Sequence, residues 1–253
     1  MNNTTKLVIL AAGEGTRLRP LTENTPKCMV PLQGKPLVLH QIETARAAGL
    51  TDIHVIGGYR HDAIDFEGIT KHVNKAYATT NMVASLFCAE SALNGDVIVG
   101  YGDIIYQPDV LQSLMESAAP VAVVVDEKWR AYWSARMANP LDDAETLKLG
   151  SDGEILELGK KASSYHEIEG QYIGLIKFSK DSWSRITPFY HSLNRGLLYE
   201  GRHIDGMYMT TFLQLIAKNL MPIKAVMIQN GWMEVDEPSD LNFTRFLNRE
   251  GAL

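Results

Sequence analysis

The stretch Leu10-Ala11-Ala12-Gly13-Glu14-Gly15-Thr16-Arg17 joins small residues to positive charge directly after an apolar run, 7–10, that predicts a buried strand. Ala11, Ala12, Gly13 and Gly15 let a ligand come close to the backbone, and successive N–H groups of such a loop can point at an anion. Arg17 and Arg19 add charge, and a single lysine, Lys27, follows within Thr25-Pro26-Lys27-Cys28-Met29. Phosphate binding with a cationic clamp is the chemistry this pattern suits. An ordinary glycine turn between strand and helix is the plainer alternative. Two familiar phosphate motifs are excluded. A Walker loop ends in Gly-Lys-Ser/Thr, whereas Gly34-Lys35 runs into Pro36. The dinucleotide fingerprint needs a third Gly or Ala where Leu18 stands.

Two carboxylates stand at predicted strand ends. Asp103 closes Gly100-Tyr101-Gly102-Asp103, after the apolar Val97-Ile98-Val99. Asp236 closes Trp232-Met233-Glu234-Val235-Asp236. Ligands of open α/β sheets bind beyond the carboxyl ends of strands, so Asp103 is either placed for a metal or a turn residue. Asp236 precedes a helical stretch and reads equally as an N-cap. Spacing alone does not pair the two.

The longer string Leu-Ala-Ala-Gly-x-Gly-Thr-Arg-Leu-x-Pro-Leu-Thr, followed by Pro-Lys, resembles the signature of the nucleotidyltransferases that make sugar nucleotides and related activated compounds. The resemblance implies a three-layer α/β/α Rossmann-like fold with a mixed, mostly parallel central sheet. It implies a nucleotide lying along Leu10, Ala11, Ala12, Gly13, Glu14, Gly15, Thr16 and Arg17, with Tyr101 and Gly102 beside it. Arg17 and Lys27 would then lie at the phosphates. Gly-Tyr-Gly-Asp resembles the family's strand-end Gly-Asp, and Trp-x-Glu-Val-Asp its late metal-binding Asp. Asp103 and Asp236 are thereby implied to share Mg²⁺, an ion that takes one or two carboxylates plus substrate phosphates and water. Lys161, in Gly159-Lys160-Lys161-Ala162, matches the lysine of the family's Glu-Lys-Pro, which reaches the acceptor's phosphate, although the Glu and Pro are absent here. The implied reaction is attack of a phosphate or phosphonate oxygen on the α-phosphorus of a nucleoside triphosphate, releasing pyrophosphate. The nucleophile is already anionic near neutral pH, so the work is positioning and charge neutralisation.

Thr80-Asn81-Met82-Val83-Ala84-Ser85-Leu86 and Gly170-Gln171-Tyr172-Ile173-Gly174 resemble the branch similar to phosphocholine cytidylyltransferases. This implies CTP as donor, with Asn81 and Ser85 four apart on one helix face near the base. Val83 stands where many members of that branch carry an aromatic. A cationic acceptor needs an aromatic face or a carboxylate. Trp129, Trp133, Tyr172, Asp205, Tyr208 and Glu234 are candidates, with core packing as the other role for the tryptophans. The expected acceptor is a small phosphate or phosphonate of the phosphocholine, phosphoethanolamine or aminoalkylphosphonate type. A sugar-1-phosphate transferase using UTP, dTTP or GTP is the alternative, and a non-catalytic binding module is the third reading.

The chain must also hold these residues in place. Its 253 residues, 45% apolar and 21% charged, permit one large α/β domain. The expected division is a nucleotide-binding half, about 1–125, and an acceptor-binding half, about 126–253. A net charge of −6 argues against a nucleic-acid partner. The apolar run before Gly13 is too short for a signal peptide, and no run approaches the ~20 residues of a membrane span. A cytoplasmic protein without membrane insertion is expected, and a homodimer is compatible with that. Cys28 and Cys88 are expected reduced, with Cys28 a small buried hydrophobe rather than a reactive thiol. Apolar spacing predicts helices over 36–48, 82–93, 108–118, 129–137, 208–218 and 238–248. Strands are predicted over 53–56, 97–99, 121–125, 172–178 and 223–228, with a hairpin turning at Ser151-Asp152-Gly153. The segment 61–78 carries no clear period.

Overall fold

The structure is a computed structural model and describes residues 4–249. In chain order the elements are β1 (Lys6–Ala11), β2 (Pro31–Leu32), β3 (Lys35–Pro36), α1 (Leu37–Ala47), β4 (Asp52–Gly57), β5 (Ile69–Val73), α2 (Met82–Phe87) and β6 (Val97–Tyr101). There follow β7 (Ile104–Tyr106), α3 (Pro108–Glu116), β8 (Val121–Asp126), α4 (Trp129–Arg136), β9 (Glu145–Leu149), β10 (Ile155–Lys161) and β11 (Gln171–Phe178). The last are α5 (Lys180–Ser192), α6 (Met209–Asn219), β12 (Lys224–Ile228), β13 (Trp232–Glu234) and α7 (Thr244–Leu247).

Seven strands form one mixed sheet in the order β12-β8-β11-β6-β1-β4-β5. Only β11 runs antiparallel to its neighbours, β6 and β8. Successive side chains of a strand face opposite ways, and both faces of this sheet are covered. Leu7, Ile9 and Ala11 of β1 pack into a core with α1, α3 and α4. Val8 and Leu10 pack into a second core with α2, α5 and α6. This is the expected three-layer α/β/α architecture. Among the described residues no helix is long and apolar enough to cross a membrane.

Register places the site. Leu10 lies beside Ile56 of β4 and Tyr101 of β6, so the carboxyl ends of three parallel strands sit side by side. The glycine loop leaves from the first and Gly102-Asp103 from the last. A separate ribbon, β7 with β13, runs antiparallel and pairs Glu234 with Ile104.

Some elements depart from expectation. The helix predicted over 82–93 ends at Phe87, and a 3-10 turn covers Glu90–Ala92. The closing helix predicted over 238–248 is a 3-10 turn, Pro238–Asn242, followed by the single turn α7. The cause is Asp240, whose carboxylate accepts from the N–H groups of Asp236 (2.8 Å) and Glu237 (2.9 Å) and winds the chain tightly there. The longest helix, α5, has no counterpart among the predicted elements. Its inner face is Trp183, Ile186 and Tyr190, at helical spacing, but Pro188 lies inside it. The unplaced segment 61–78 contains edge strand β5.

Candidate active site

A cavity of about 460 Å³ opens at the carboxyl edge of the sheet. Its floor is Leu10, Ala11, Ala12, Gly13, Glu14, Gly15, Thr16 and Arg17, and its walls include Lys27, Asn81, Ser85, Tyr101, Gly102, Asp103 and Asp236. Cys28, Tyr77, Ala78, Thr80 and Met82 also line it and are not among the expected site residues.

Two glycines make this approach possible. Gly15 has φ +69°, and a Cβ there would lie 2.9 Å from Cβ of Lys27. The lysine stem thus packs directly over the loop. Gly102 donates its N–H to the Leu10 carbonyl at 2.9 Å, and a Cβ on it would lie 2.7 Å from that same oxygen. Any other residue at either position would force loop and lysine, or loop and Asp103, apart.

Lys27 Nζ lies between both carboxylates, 2.5 Å from Asp103 Oδ2 and hydrogen-bonded to Asp236 Oδ1. Burial by itself would lower the Lys27 pKa, but Asp103 and Asp236 outweigh it and hold the ammonium above the ordinary lysine range. Burial likewise raises Asp236, and Lys27, Arg17 and Arg136 more than reverse it. Arg17 reaches Asp236 Oδ1 at 3.0 Å. Next to Lys27, burial pushes the Cys28 thiol up to about 12, so it is an inert hydrophobe.

Behind Asp236 stands Arg136, whose side chain is 3% exposed. It bonds Glu234 and Asp240, the latter at 2.9 and 3.2 Å, and lies 3.8 Å from Asp236 Oδ2. Tyr132 Oη accepts from the Glu234 N–H at 3.0 Å and donates to its carbonyl at 3.1 Å. Arg136, Asp240 and Tyr132 therefore hold the segment that carries Asp236. Sequence reasoning missed all three. The aromatic helix α4 carries two arginines, Arg130 and Arg136, and nothing in its sequence separates the buried one from the other.

The expected acceptor residues are scattered. Trp129 and Trp133, each 4% exposed, lie in the core, and Trp133 Nε1 donates to Asp143 at 3.1 Å. Neither lines the cavity, because packing against Tyr132, Tyr165 and Trp232 uses their faces. Glu234 is engaged by Arg136 below the cavity. Lys161 is exposed, its Nζ donating to the carbonyls of Leu141 (2.7 Å) and Asp142. Asp205 pairs with Arg195 at 3.0 Å, and Tyr208 lies under the Arg202 guanidinium, 4.2 Å from ring centre. Tyr172 meets the cavity residue Tyr101 edge-on, with ring centres 5.8 Å apart. Near both tyrosines is Glu145, which sequence reasoning missed. Its carboxylate has no hydrogen-bond or ion-pair partner among the described residues. Burial, with Asp143 and Glu200 adding to it, pushes its pKa up to about 7.

Cations and backbone N–H groups facing two carboxylates across a strand-end loop suit phosphoryl chemistry, and on this sheet they define a nucleotidyltransferase. The chain belongs to the MobA-like NTP transferase domain family, which it matches over residues 7–162. It is 44% identical, over 92% of its length and 96% of the relative's, to the CTP:phosphoglutamine cytidylyltransferase of Campylobacter jejuni. Its fold is similar to that of the inositol-1-phosphate CTP transferase from T. maritima (TM-score 0.73, 20% identity, 98% of this chain and 95% of that one). It is similar also to that of the CTP:phosphocholine cytidylyltransferase from Streptococcus pneumoniae (TM-score 0.71, 22% identity, 96% and 99%).

Proposed function

We propose that this nucleotidyltransferase uses CTP and transfers CMP to a small, amine-bearing phosphate or phosphonate, of the phosphoglutamine, phosphocholine or aminoalkylphosphonate type. One observation carries the site assignment: Lys27 Nζ, held protonated between Asp103 and Asp236 over the glycine loop. The N–H groups of Gly13 to Thr16, with Arg17 and Lys27, take the triphosphate oxygens. An oxygen of the acceptor's phosphoryl group forms a bond to the α-phosphorus, the bond from that phosphorus to the bridging oxygen breaks, and pyrophosphate leaves. No proton needs to be removed from the nucleophile.

Asp103 and Asp236 suit Mg²⁺. They offer a hard, all-oxygen donor pair that already converges on one positive charge. Among the described residues no third His, Cys, Asp or Glu joins them, which leaves substrate phosphates and water to complete the shell. Bound there, Mg²⁺ would neutralise charge developing on the phosphates.

The acceptor end lies beside Tyr101, where Tyr172 offers a ring and Glu145 an unpaired carboxylate. A carboxylate raised by burial gains from a cation brought next to it. Phosphoglutamine and phosphocholine both carry such a cation. A pyrophosphate-release assay of CTP, UTP, GTP and dTTP against phosphoglutamine, phosphocholine, 2-aminoethylphosphonate and glucose 1-phosphate tests the reading. Turnover with CTP and an amine-bearing acceptor is expected. Preference for glucose 1-phosphate would overturn it.

A further inference from the structure

Asn74 is 3% exposed and lies just past β5, behind the cavity wall. Its backbone N–H donates to the Gly57 carbonyl at 2.8 Å, which ties it to the end of β4. Its side-chain Oδ1 accepts from the Ala76 N–H at 2.9 Å. That bond sets the amide's orientation, because a backbone N–H can only donate. Nδ2 therefore carries the two protons, and both are used. One goes to Thr80 Oγ1 at 2.8 Å and the other to Ser85 Oγ at 2.9 Å.

Thr80 and Ser85 both line the cavity. Each hydroxyl accepts from Asn74 and must send its own proton elsewhere. Thr80 donates to the Ala76 carbonyl at 3.0 Å. Ser85, 4% exposed, meets no acceptor among the described residues. Its proton is the one left over, and the cavity is where it can be used.

We infer that Asn74 is a positioning residue that makes Ser85 a hydrogen-bond donor toward the bound base, reading the lone pair at N3 of cytosine. This rests on the proposed placement of the nucleotide. Uracil carries an N–H at N3 and opposes a donor there, whereas cytosine presents a lone pair. An acceptor in place of the Asn74 amide reverses the arrangement. An ionised aspartate at 74 only accepts, so the Ser85 proton turns back to it and Ser85 offers a lone pair to the cavity.

Binding is measured by titration calorimetry at pH 8 with Mg²⁺, CTP and UTP in turn, so the acceptor's identity does not matter. The wild type is expected to favour CTP. Ser85→Ala should cut that preference by about tenfold, the size of one neutral hydrogen bond. Asn74→Asp should cut it at least as far, and should have no further effect on the ratio in the Ser85→Ala background. If Asn74→Asp fails to fold, Asn74→Ala replaces it: with no amide to direct the Ser85 proton, the ratio should fall in the wild-type background and stay unchanged in Ser85→Ala. An unchanged ratio in Ser85→Ala, or an Asn74→Asp effect that adds to it or weakens both nucleotides alike, overturns the inference and leaves the cytidylyl reading standing. A wild type that binds UTP as tightly as CTP overturns both.

Discussion

The backbone N–H of Val235 donates to the carbonyl oxygen of Asp103 at 3.0 Å. It extends the β7–β13 ribbon by one rung past the pairing of Glu234 with Ile104. Two carboxylates that are remote in sequence thus become neighbours through main-chain bonds, with Lys27 seated between them. The ribbon is a sheet of its own, and it joins Asp236 to an Asp103 that β6 and the Gly102 bond to Leu10 already fix beside the nucleotide loop.

Removing the central cation should strike the reaction more than the fold. Lys27→Ala is expected to lower turnover by about 100-fold or more, the scale of losing one electrostatic stabiliser in a water-excluded site. Pyrophosphate release at saturating substrate measures it, and circular dichroism checks the fold. Near-normal turnover would remove Lys27 from the machinery.

Asp103 and Asp236 should behave as one unit. If they share Mg²⁺, Asp103→Asn and Asp236→Asn should each cost nearly as much as the two together. A double-mutant cycle at fixed Mg²⁺ makes the measurement. Single effects that multiply would assign the carboxylates to separate tasks.

Arg136 carries a structural prediction. It is buried against Glu234 and Asp240, and truncation leaves those acids without their cation. Arg136→Ala should destabilise the protein by about 3 kcal/mol or more, as removal of one partner from a buried pair does. Denaturant unfolding gives the value. A loss under about 1 kcal/mol would mean that water reaches the cluster freely.

What the sequence made legible follows from how local each signal is. The glycine loop, Lys27 and the strand before Asp103 are contiguous patterns, and all appear at one cavity. The period of Trp183, Ile186 and Tyr190 is equally local, but Pro188 hid α5. Arg136 acts only through partners about a hundred residues away, Glu234 and Asp240, while Asp240 and Asn74 also bond near neighbours, in irregular turns. Nothing near them in sequence marks them. The tryptophans misled for the opposite reason: a large aromatic suits a core and a cation site equally, and only packing decides.

Glu145 gives a pH signature. Its folded pKa is about 7 against an ordinary value of 4.5. Below about 4.5 the folded and unfolded chains both hold the proton, and between 4.5 and 7 the folded chain holds it preferentially. The stabilising contribution is therefore full at low pH and is lost as pH rises through about 7. Glu145→Gln should flatten this dependence and raise the melting temperature at pH 8 by about 3 °C or more relative to wild type. Parallel wild-type and variant curves from pH 5 to 8 would show that the carboxylate is solvated.

The same residue separates two accounts of the acceptor. If Glu145 and Tyr172 receive the acceptor's ammonium, Glu145→Gln should raise KM for an amine-bearing acceptor about tenfold, with KM for CTP little changed. A charge-assisted contact is worth that much. Lowering the pH below 7 should raise the wild-type acceptor KM in the same way, since protonation removes the charge that attracts the cation. Trp133→Phe, a change inside the core, should instead lower the melting temperature and leave the acceptor KM alone, because the indole faces Tyr132 and Trp232 rather than the cavity. The steady-state measurement uses the best acceptor from the pyrophosphate screen. An acceptor KM that follows Trp133 and ignores Glu145 would return the amine site to the aromatic cluster. A KM indifferent to both, with a neutral phosphonate as the preferred acceptor, would keep the nucleotide half of the site and remove the amine from its substrate.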